Sequence, residues 1–575
     1  MTPVQVDARP VEARPDAAVD KERRWIVPAA IAATALLSVL LSGHRSGDNN
    51  NLFHLPILTG LYDEPQFARD VFIQSLRYYV SGFWMLFAGA ADDQTVLWFF
   101  LPLQLLSRAL FFAGVAMWAP LLGLAGWRRG SLLLLVVALA ETLRRAAPAG
   151  DGGIFVENFT HSELCNGTSL IALALAARGR YGWALAVAGV TFFANMFMAV
   201  WLAPPLAALA ATAWRRGEID LATLARRSAP GLLAAGLLAV PVLARMVTNP
   251  DFGRPLNFDY PDFLVEYWPH HFLVQHLRLG HLLKFAGLVA AGAVAALALH
   301  PGSRRNLLPV FGGYLAVWAI GALLPFLTSS ATLINLHLLR VSGMIAIVAT
   351  LAIATHIVRF SLSEDRADRH VWAPALLLSL AIDIRLVAAA ALLLMARTRL
   401  PVPSRATHRL IPLIALVVVL GAATMRAVEA FRADQQFRAA QRRWAVLAEW
   451  ARERTDRNAV FLLPPYNIRS DGPLPASPPG QDRLVQASEL FPTTAHRGVW
   501  VTGKQGAAVM WWPRYYEQWR TRLIETLELP DVPSRLSYAR RHGIAFVVDE
   551  CAAAGAPAPA FRSGPLCAYA AAGRS

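Results

Sequence analysis

Between an apolar stretch that ends at Ser42 and the next one, near Thr95, the chain carries Asp48, Asn50, His54, Asp63, Glu64 and Asp70 along half-apolar segments. Carboxylates held close to hydrocarbon lose solvation and their pKa values rise, so they belong there when a proton, a cation or a sugar hydroxyl has to be handled. The competing reading is that they cap short helices and keep the loop solvated. A second polar run holds Glu157-Asn158-Phe159-Thr160-His161-Ser162-Glu163, and a third runs from Asp259-Tyr260-Pro261-Asp262 to Glu266-Tyr267-Trp268-Pro269-His270-His271 and His276. Adjacent His270 and His271 do not converge on a metal as two ligands one helical turn apart do, and neither do His271 and His276. The spacing therefore speaks against zinc and leaves contact with a phosphate or a sugar, or packing at the membrane interface. Arg340 lies inside the start of an apolar span. A guanidinium there costs about 2.5–3.5 kcal/mol unless it is paired or at the rim, and arginine can take a phosphate through two parallel hydrogen bonds; phosphate binding and an interfacial snorkel both fit.

The elements that must position these residues follow from hydropathy. With 55% hydrophobic and 16% charged residues over 575 positions, most of the chain must be solvated by lipid. Apolar spans fall at Trp25–Ser42, Thr95–Ala125, Ser131–Ala147, Thr168–Ala177, Tyr181–Asn195, Phe197–Trp214, Pro230–Val247, His281–His300, Leu307–Leu327, His337–Phe360, Val371–Ile382, Leu386–Ala396 and Leu410–Met425. That makes a polytopic α-helical membrane protein of about thirteen transmembrane helices. The net charge of +15 resides mainly in connections rich in arginine: Arg128-Arg129, Arg178/Arg180, Arg215-Arg216 with Arg226-Arg227, Arg304-Arg305, Arg359/Arg366/Arg369 and Arg397/Arg399/Arg405/Arg409. All of these come out cytoplasmic if the polar tail 1–24 is inside, and the charge did not enter the drawing of the spans. The loops Gly43–Gln94, Pro148–Gly167, Thr248–Gly280 and Thr328–Leu336 then face outward with nearly all of the polar chemistry. Arg144-Arg145 fall on the wrong side of this scheme, either snorkelling or facing the site as cations. No basic-aromatic pattern for nucleic acid is present.

After Met425 the chain changes character. A polar helix, about Arg426–Arg454, precedes strand-like Ala459–Pro465 and Gly498–Thr502, an aromatic helix around Trp511–Leu527, a short helix Ser534–His542 and the strand Ile544–Asp549. Strands alternating with helices in about 150 residues read as a small α/β domain over 426–575, outside the membrane, with its own core. Cys551 and Cys567 are placed to form a disulfide there, and Cys165 is left over. Walker loops, nucleotide fingerprints and Gly-x-Ser-x-Gly elbows are absent from the sequence.

Asp48 soon after the first span, a first outer loop containing Tyr62-Asp63-Glu64 and Asp70, an acidic second loop, about thirteen spans and an outer α/β domain together resemble the GT-C superfamily of membrane glycosyltransferases, from Trp25 to about Cys567. The resemblance implies a hexosyl- or pentosyl-transferase of the bacterial inner membrane, N-terminus cytoplasmic and C-terminal domain periplasmic. It implies a sugar on polyprenyl phosphate as donor and a glycan, lipid or protein as acceptor. It further implies a carboxylate that takes the proton of the attacking hydroxyl and positive charge behind the departing phosphate. Asp48 is the first choice of base, with Asp63 or Asp70 second. Asn50, His54, Glu64, Glu157 and His161 are expected to touch substrate, Glu157 with a metal as its other candidate partner, and His270, His271 and Arg340 to take the phosphate. Whether a divalent cation, Mg or Mn, takes part is left open, because members of the superfamily differ. Two rivals remain: a transporter or flippase for lipid-linked saccharides, in which the same charges line an ion path, and an envelope scaffold with Trp500 to Trp519 as a glycan platform.

Overall fold

The computed structural model describes residues 25–93, 95–397, 407–469, 471–551 and 555–571. The expected cytoplasmic tail 1–24 and, in the arginine pattern, Arg399, Arg405 and the side chain of Arg409 lie outside the described residues. Every expected span coincides with a helix, from Ile26–Ser42 through Val96–Leu122, Trp127–Leu139 and His161–Ala177 to Val387–Ala396 and Thr407–Arg454. Among the described residues 7 helices are long and apolar enough to cross a membrane, with shorter apolar helices at Ile26–Ser42, Tyr181–Ala194 and Ile384–Ala396. The chain is a multi-pass membrane protein, and the figure of thirteen crossings is not established.

The helices sort by burial. Ala331–Ser361 is the axis, its apolar window 100% buried, whereas only 11% of the window in Leu221–Val247 is buried, leaving leucines and valines for lipid to solvate. Small residues let the axis pack closely: a side chain at Gly292 would run into Ala349 of the central helix. The first, second and third loops and the chain after Arg454 gather at one end of these helices, called the outer end below, around a shared cavity.

The last helix, Thr407–Arg454, is 48 residues long, about 72 Å at the α-helical rise. The change of character expected at Met425 falls inside it without a break, because only the helix's polarity changes there and its propensity does not. Its outer half buries Phe437, Trp444 and Leu447 against one face of a five-stranded sheet. The sheet comprises β1 (Val460–Leu462), β2 (Gly498–Val499), β3 (Phe546–Glu550), β4 (Phe561–Ser563) and β5 (Leu566–Ala570), in the order β2-β1-β3-β5-β4. The β1 strand pairs in parallel with β2 and β3, and β5 antiparallel with β3 and β4. Alternation decides the faces: Phe461 and Val548 point to the long helix, Leu462 and Val547 to the helix Val532–Arg541. The hairpin β4–β5 was not expected from sequence. Cys551 and Cys567 are joined, and Cys165 is free and buried.

The first loop does not stand apart from this domain. All eight residues of the helix Asn51–Leu58 are buried. Phe53, Phe72 and Trp84 share one hydrophobic core with Tyr260 and Phe263 of the third loop and with Val501, Ala508 and Trp519 of the C-terminal domain. The outer end is thus one packed body over the membrane helices.

Candidate functional site

A cavity of about 1590 Å³ lies between that body and the helices, lined by Asp48, Asn49 and Asn50 of the first loop, Asp151 and His161 of the second, His271 of the third, Arg340, and Glu489, Lys504 and Trp511 of the C-terminal domain. Its walls also include Leu52, Phe53, Trp201 and Met344, so polar groups converge within a largely apolar enclosure.

Asp48 is held by a tight turn. Gly47 and Asn49 take left-handed conformations, φ 82° and 53°, which glycine and asparagine accept most readily. The N–H of Asn51 donates to the Asp48 carbonyl at 3.0 Å, and the N–H of Gly47 donates to Asn51 Oδ1 at 2.9 Å. The guanidinium of Arg45 lies among three carboxylates, 3.4 Å from Asp48, 3.6 Å from Glu157 and 3.5 Å from Asp434. Burial raises the Asp48 carboxyl above its ordinary value; Arg45 opposes the rise and Glu157 adds to it.

Arg340 enters through a break in the axial helix. His337 is left-handed, φ 55°, and the turn Leu338–Val341 separates Ala331–Ile334 from Ser342–Ser361. The second loop lies against this break backbone to backbone. A Cβ at Gly150 would stand 2.1 Å from the Leu339 carbonyl, and one at Gly152 would stand 2.3 Å from that of Arg340, so glycine is required at both positions. Between them Asp151 accepts from Trp268 Nε1 at 3.1 Å and stands 3.6 Å from His271 Nε2. The Nε of Arg340 is buried without a hydrogen-bond partner, and among the described residues its guanidinium closes no ion pair. Lys504 is the second residue of the turn Gly503–Met510, before which the Thr502 N–H donates to Gln505 Oε1 at 2.9 Å, and its ammonium closes no ion pair among the described residues either. Burial lowers it to about 8, Glu489 opposing and Arg340 adding to the shift.

The structure brings Asp48, Asn50, His161, His271 and Arg340 to the cavity and leaves the other expected residues away from it. Asp63 is a surface carboxylate paired with Arg77 at 2.8 Å. Asp70 is the N-cap of Val71–Ser75, accepting from the Ile73 N–H at 3.0 Å; burial pushes it up to about 6 against that bond. These two occupy the surface-pair and helix-cap places of the loop's other reading. His54 is packed beneath the cavity, stacked on Trp84 at 4.0 Å, and burial holds its imidazole well below the ordinary value. Glu64 reaches the C-terminal domain, 2.6 Å from His496. Glu157 turns to Arg45 and not to the cavity. His270 sits behind the wall, its ring against Trp268 and His281, and burial lowers it. Arg144 pairs with Glu429 at 3.7 Å, and neither it nor Arg145 lines the cavity. Of the tryptophans, Trp511 reaches the cavity while Trp512 and Trp519 are core.

Asp151, Glu489 and Lys504 were missed. Lys504 had a signal: Lys21, Lys284 and Lys504 are the only lysines in a chain whose other strong cations are arginines. Glu489, far along the sequence, had none. Among the described residues no three His, Cys, Asp or Glu side chains converge as a metal site. Where Asp48 and Glu157 come together, the guanidinium of Arg45 stands 3.4 Å and 3.6 Å from their carboxylates.

No known family profile matches the chain, and no curated protein does. Among solved structures it is similar to the crystal structure of ArnT from Cupriavidus metallidurans bound to undecaprenyl phosphate, at 15% identity and a TM-score of 0.42 over 96% of this chain and 98% of that one. The likeness is one of overall chain course, and the chemistry of the cavity rests on this chain's own residues.

Proposed function

We propose that the chain is a membrane glycosyltransferase that moves a sugar from a polyprenyl-phosphate donor to an extracytoplasmic glycan, lipid or protein. The observation that carries this reading is the single cavity, at the end of apolar helices, that Asp48, Arg340 and Lys504 all line. Two half-buried cations that close no ion pair among the described residues favour an anionic ligand, and a lipid phosphate entering from the membrane is such a ligand. In the reaction the acceptor oxygen attacks the anomeric carbon while its proton passes to the Asp48 carboxylate. The bond from that carbon to the phosphate oxygen breaks, its electron pair stays on the phosphate, and Arg340 and Lys504 stabilise the charge. Burial lowers Lys504, and nearby carboxylates, Asp48 among them, oppose that shift. Burial raises Asp48, and the Arg45 guanidinium at 3.4 Å opposes that rise and favours the ionised form that accepts a proton.

The reading puts the N-terminus in the cytoplasm and the cavity and C-terminal domain in the periplasm of a bacterial inner membrane, on the strength of the arginine-rich connections. A periplasm-active reporter fused to the C-terminus should be active; a cytoplasmic signal would remove the site from the outer face. The decisive experiment is incubation of the purified protein with polyprenyl-phosphate hexoses and pentoses labelled in the sugar, together with an envelope extract as acceptor. Labelled sugar should leave the lipid for the extract. If none does, and the flux of lipid-linked saccharide across vesicles depends on the protein instead, the flippase reading replaces this one.

A further inference from the structure

Glu489 comes from the C-terminal domain, on the turn Ser488–Leu490, and follows Ala487, whose φ of 65° is left-handed. It lines the cavity, its Oε2 is buried without a hydrogen-bond partner, and among the described residues it closes no ion pair. The groups that face it are Asp48 from the first loop, Lys504 from the turn Gly503–Met510 and Tyr466 from the segment after β1. Burial and then Asp48 push its carboxyl up to about 8, with Lys504 opposing. Asp48 shares its wall but is bound by Arg45. Two carboxyls on one cavity, one with a guanidinium and one without, take different protonation states: the first is an acceptor only, the second keeps its hydrogen and is donor and acceptor at once. A neighbouring pair of sugar hydroxyls offers the complementary acceptor and donor.

We infer that Glu489 is a substrate-binding residue supplied by the C-terminal domain, a neutral carboxyl whose O–H donates to one sugar hydroxyl and whose carbonyl oxygen accepts from its neighbour. The inference rests on the glycosyl-transfer reading for its assay. It makes the outer domain part of the site, so that a site complete in its membrane half is still blind to the sugar.

The test compares wild type, Glu489→Gln and Glu489→Ala at pH 7 with labelled polyprenyl-phosphate sugars and envelope extract. Glutamine is isosteric and keeps one donor and one acceptor, so it should stay within about threefold of wild type, whereas alanine should lose about tenfold to a hundredfold in kcat/KM. Thermal unfolding and the stabilisation conferred by polyprenyl phosphate alone should be the same in all three. A set of singly deoxygenated donors then identifies the hydroxyl. With the donor that lacks it, wild type and Glu489→Ala should transfer equally. If no deoxy donor closes the gap and the alanine variant instead needs more extract for half-maximal rate, the hydroxyl belongs to the acceptor. Glutamine failing as badly as alanine, or alanine transferring normally, overturns the assignment and leaves the glycosyl-transfer reading intact. A wild type that transfers nothing overturns both.

Discussion

At the rim of the outer body Glu64 and Asp93 of the first loop each stand 2.6 Å from one nitrogen of His496, while Arg452 closes on Asp93 and Arg457 lies 4.0 Å from Glu64. In the cavity the same loop and the same domain meet again through Asp48, Glu489 and Lys504, with Arg340 from the axial helix. The rim charges answer one another; among the described residues Arg340, Lys504 and Glu489 line the cavity and close no ion pair, whereas Asp48 and Asp151 have partners in Arg45 and His271. Complete pairing is what a junction between two parts of a chain needs, because each buried charge is then compensated on folding. Incomplete pairing sacrifices stability and is retained where a ligand supplies the missing partner. The contrast recurs between two arginines, Arg45 within ion-pair reach of three carboxylates and Arg340 closing no ion pair among the described residues.

The comparison breaks most directly at Asp48. Asp48→Asn keeps shape and removes the proton acceptor, and transfer should fall about a hundredfold to ten-thousandfold with hardly any change in thermal unfolding. Asp63→Asn and Asp70→Asn, one a surface pair and the other a cap, should transfer within about threefold of wild type; Asp70→Asn still caps its helix, so its stability should change by only a few tenths of a kcal/mol. Normal transfer by the Asp48 variant would return that residue to the structural class.

Arg340→Gln sharpens the contrast between the two arginines. It should weaken the binding of polyprenyl phosphate by about tenfold to a hundredfold, measured by lipid-induced thermal stabilisation, since a charge-assisted hydrogen bond is lost. In the absence of lipid it should leave the unfolding midpoint unchanged or raise it, because an uncompensated cation has been removed. Arg45→Gln should do the reverse, lowering stability by about 1–3 kcal/mol with three carboxylates left together. If Arg340→Gln destabilised the lipid-free protein as much as Arg45→Gln, Arg340 would be a structural cation.

Much of this was legible in the sequence. Hydropathy placed each of the apolar spans on a helix, because lipid solvation leaves no alternative to an apolar run, and β1 and β3 were readable from their β-branched and aromatic residues. The hairpin Phe561–Ser563 and Leu566–Ala570 was not, since short strands next to a disulfide carry little periodicity. Within the site, residue type singled out Asp48 and Arg340, yet the same criterion selected Asp63, Glu64 and Asp70, whose partners Arg77, His496 and the Ile73 N–H are fixed only by packing. Glu489 comes to the cavity that Asp48 lines because the C-terminal domain packs on the shared aromatic core, a juxtaposition that no local pattern encodes.

The smallest effect is expected at the rim, where the comparison predicts a pH response in stability and little change in chemistry. Burial alone would lower His496, but the hydrogen bonds and charges of Asp93 and Glu64 outweigh it and hold the imidazolium up to about 9. In the unfolded chain the same group titrates near 6.5. A folded value above the unfolded one means that the stabilisation is complete below pH 6.5 and is lost as pH rises to and through about 9. Glu64 shifts the other way: burial would raise it, but His496, Gln66 and Arg457 together outweigh burial and hold it below its ordinary 4.5, so its share is present above that value and is lost on acidification. The clasp is therefore tightest from about pH 5 to 6.5. Thermal unfolding of the wild type should decline from pH 6.5 to 9, followed by amide exchange in residues 491–499 to separate the clasp from other titrations. His496→Ala should lie lower and lose the part of that decline that the histidine causes, while transfer at pH 7 changes by less than about threefold. An alanine variant with the wild-type slope would mean that the two carboxylates do not depend on the histidinium, and the distinction between a paired rim and an open cavity would lose its rim.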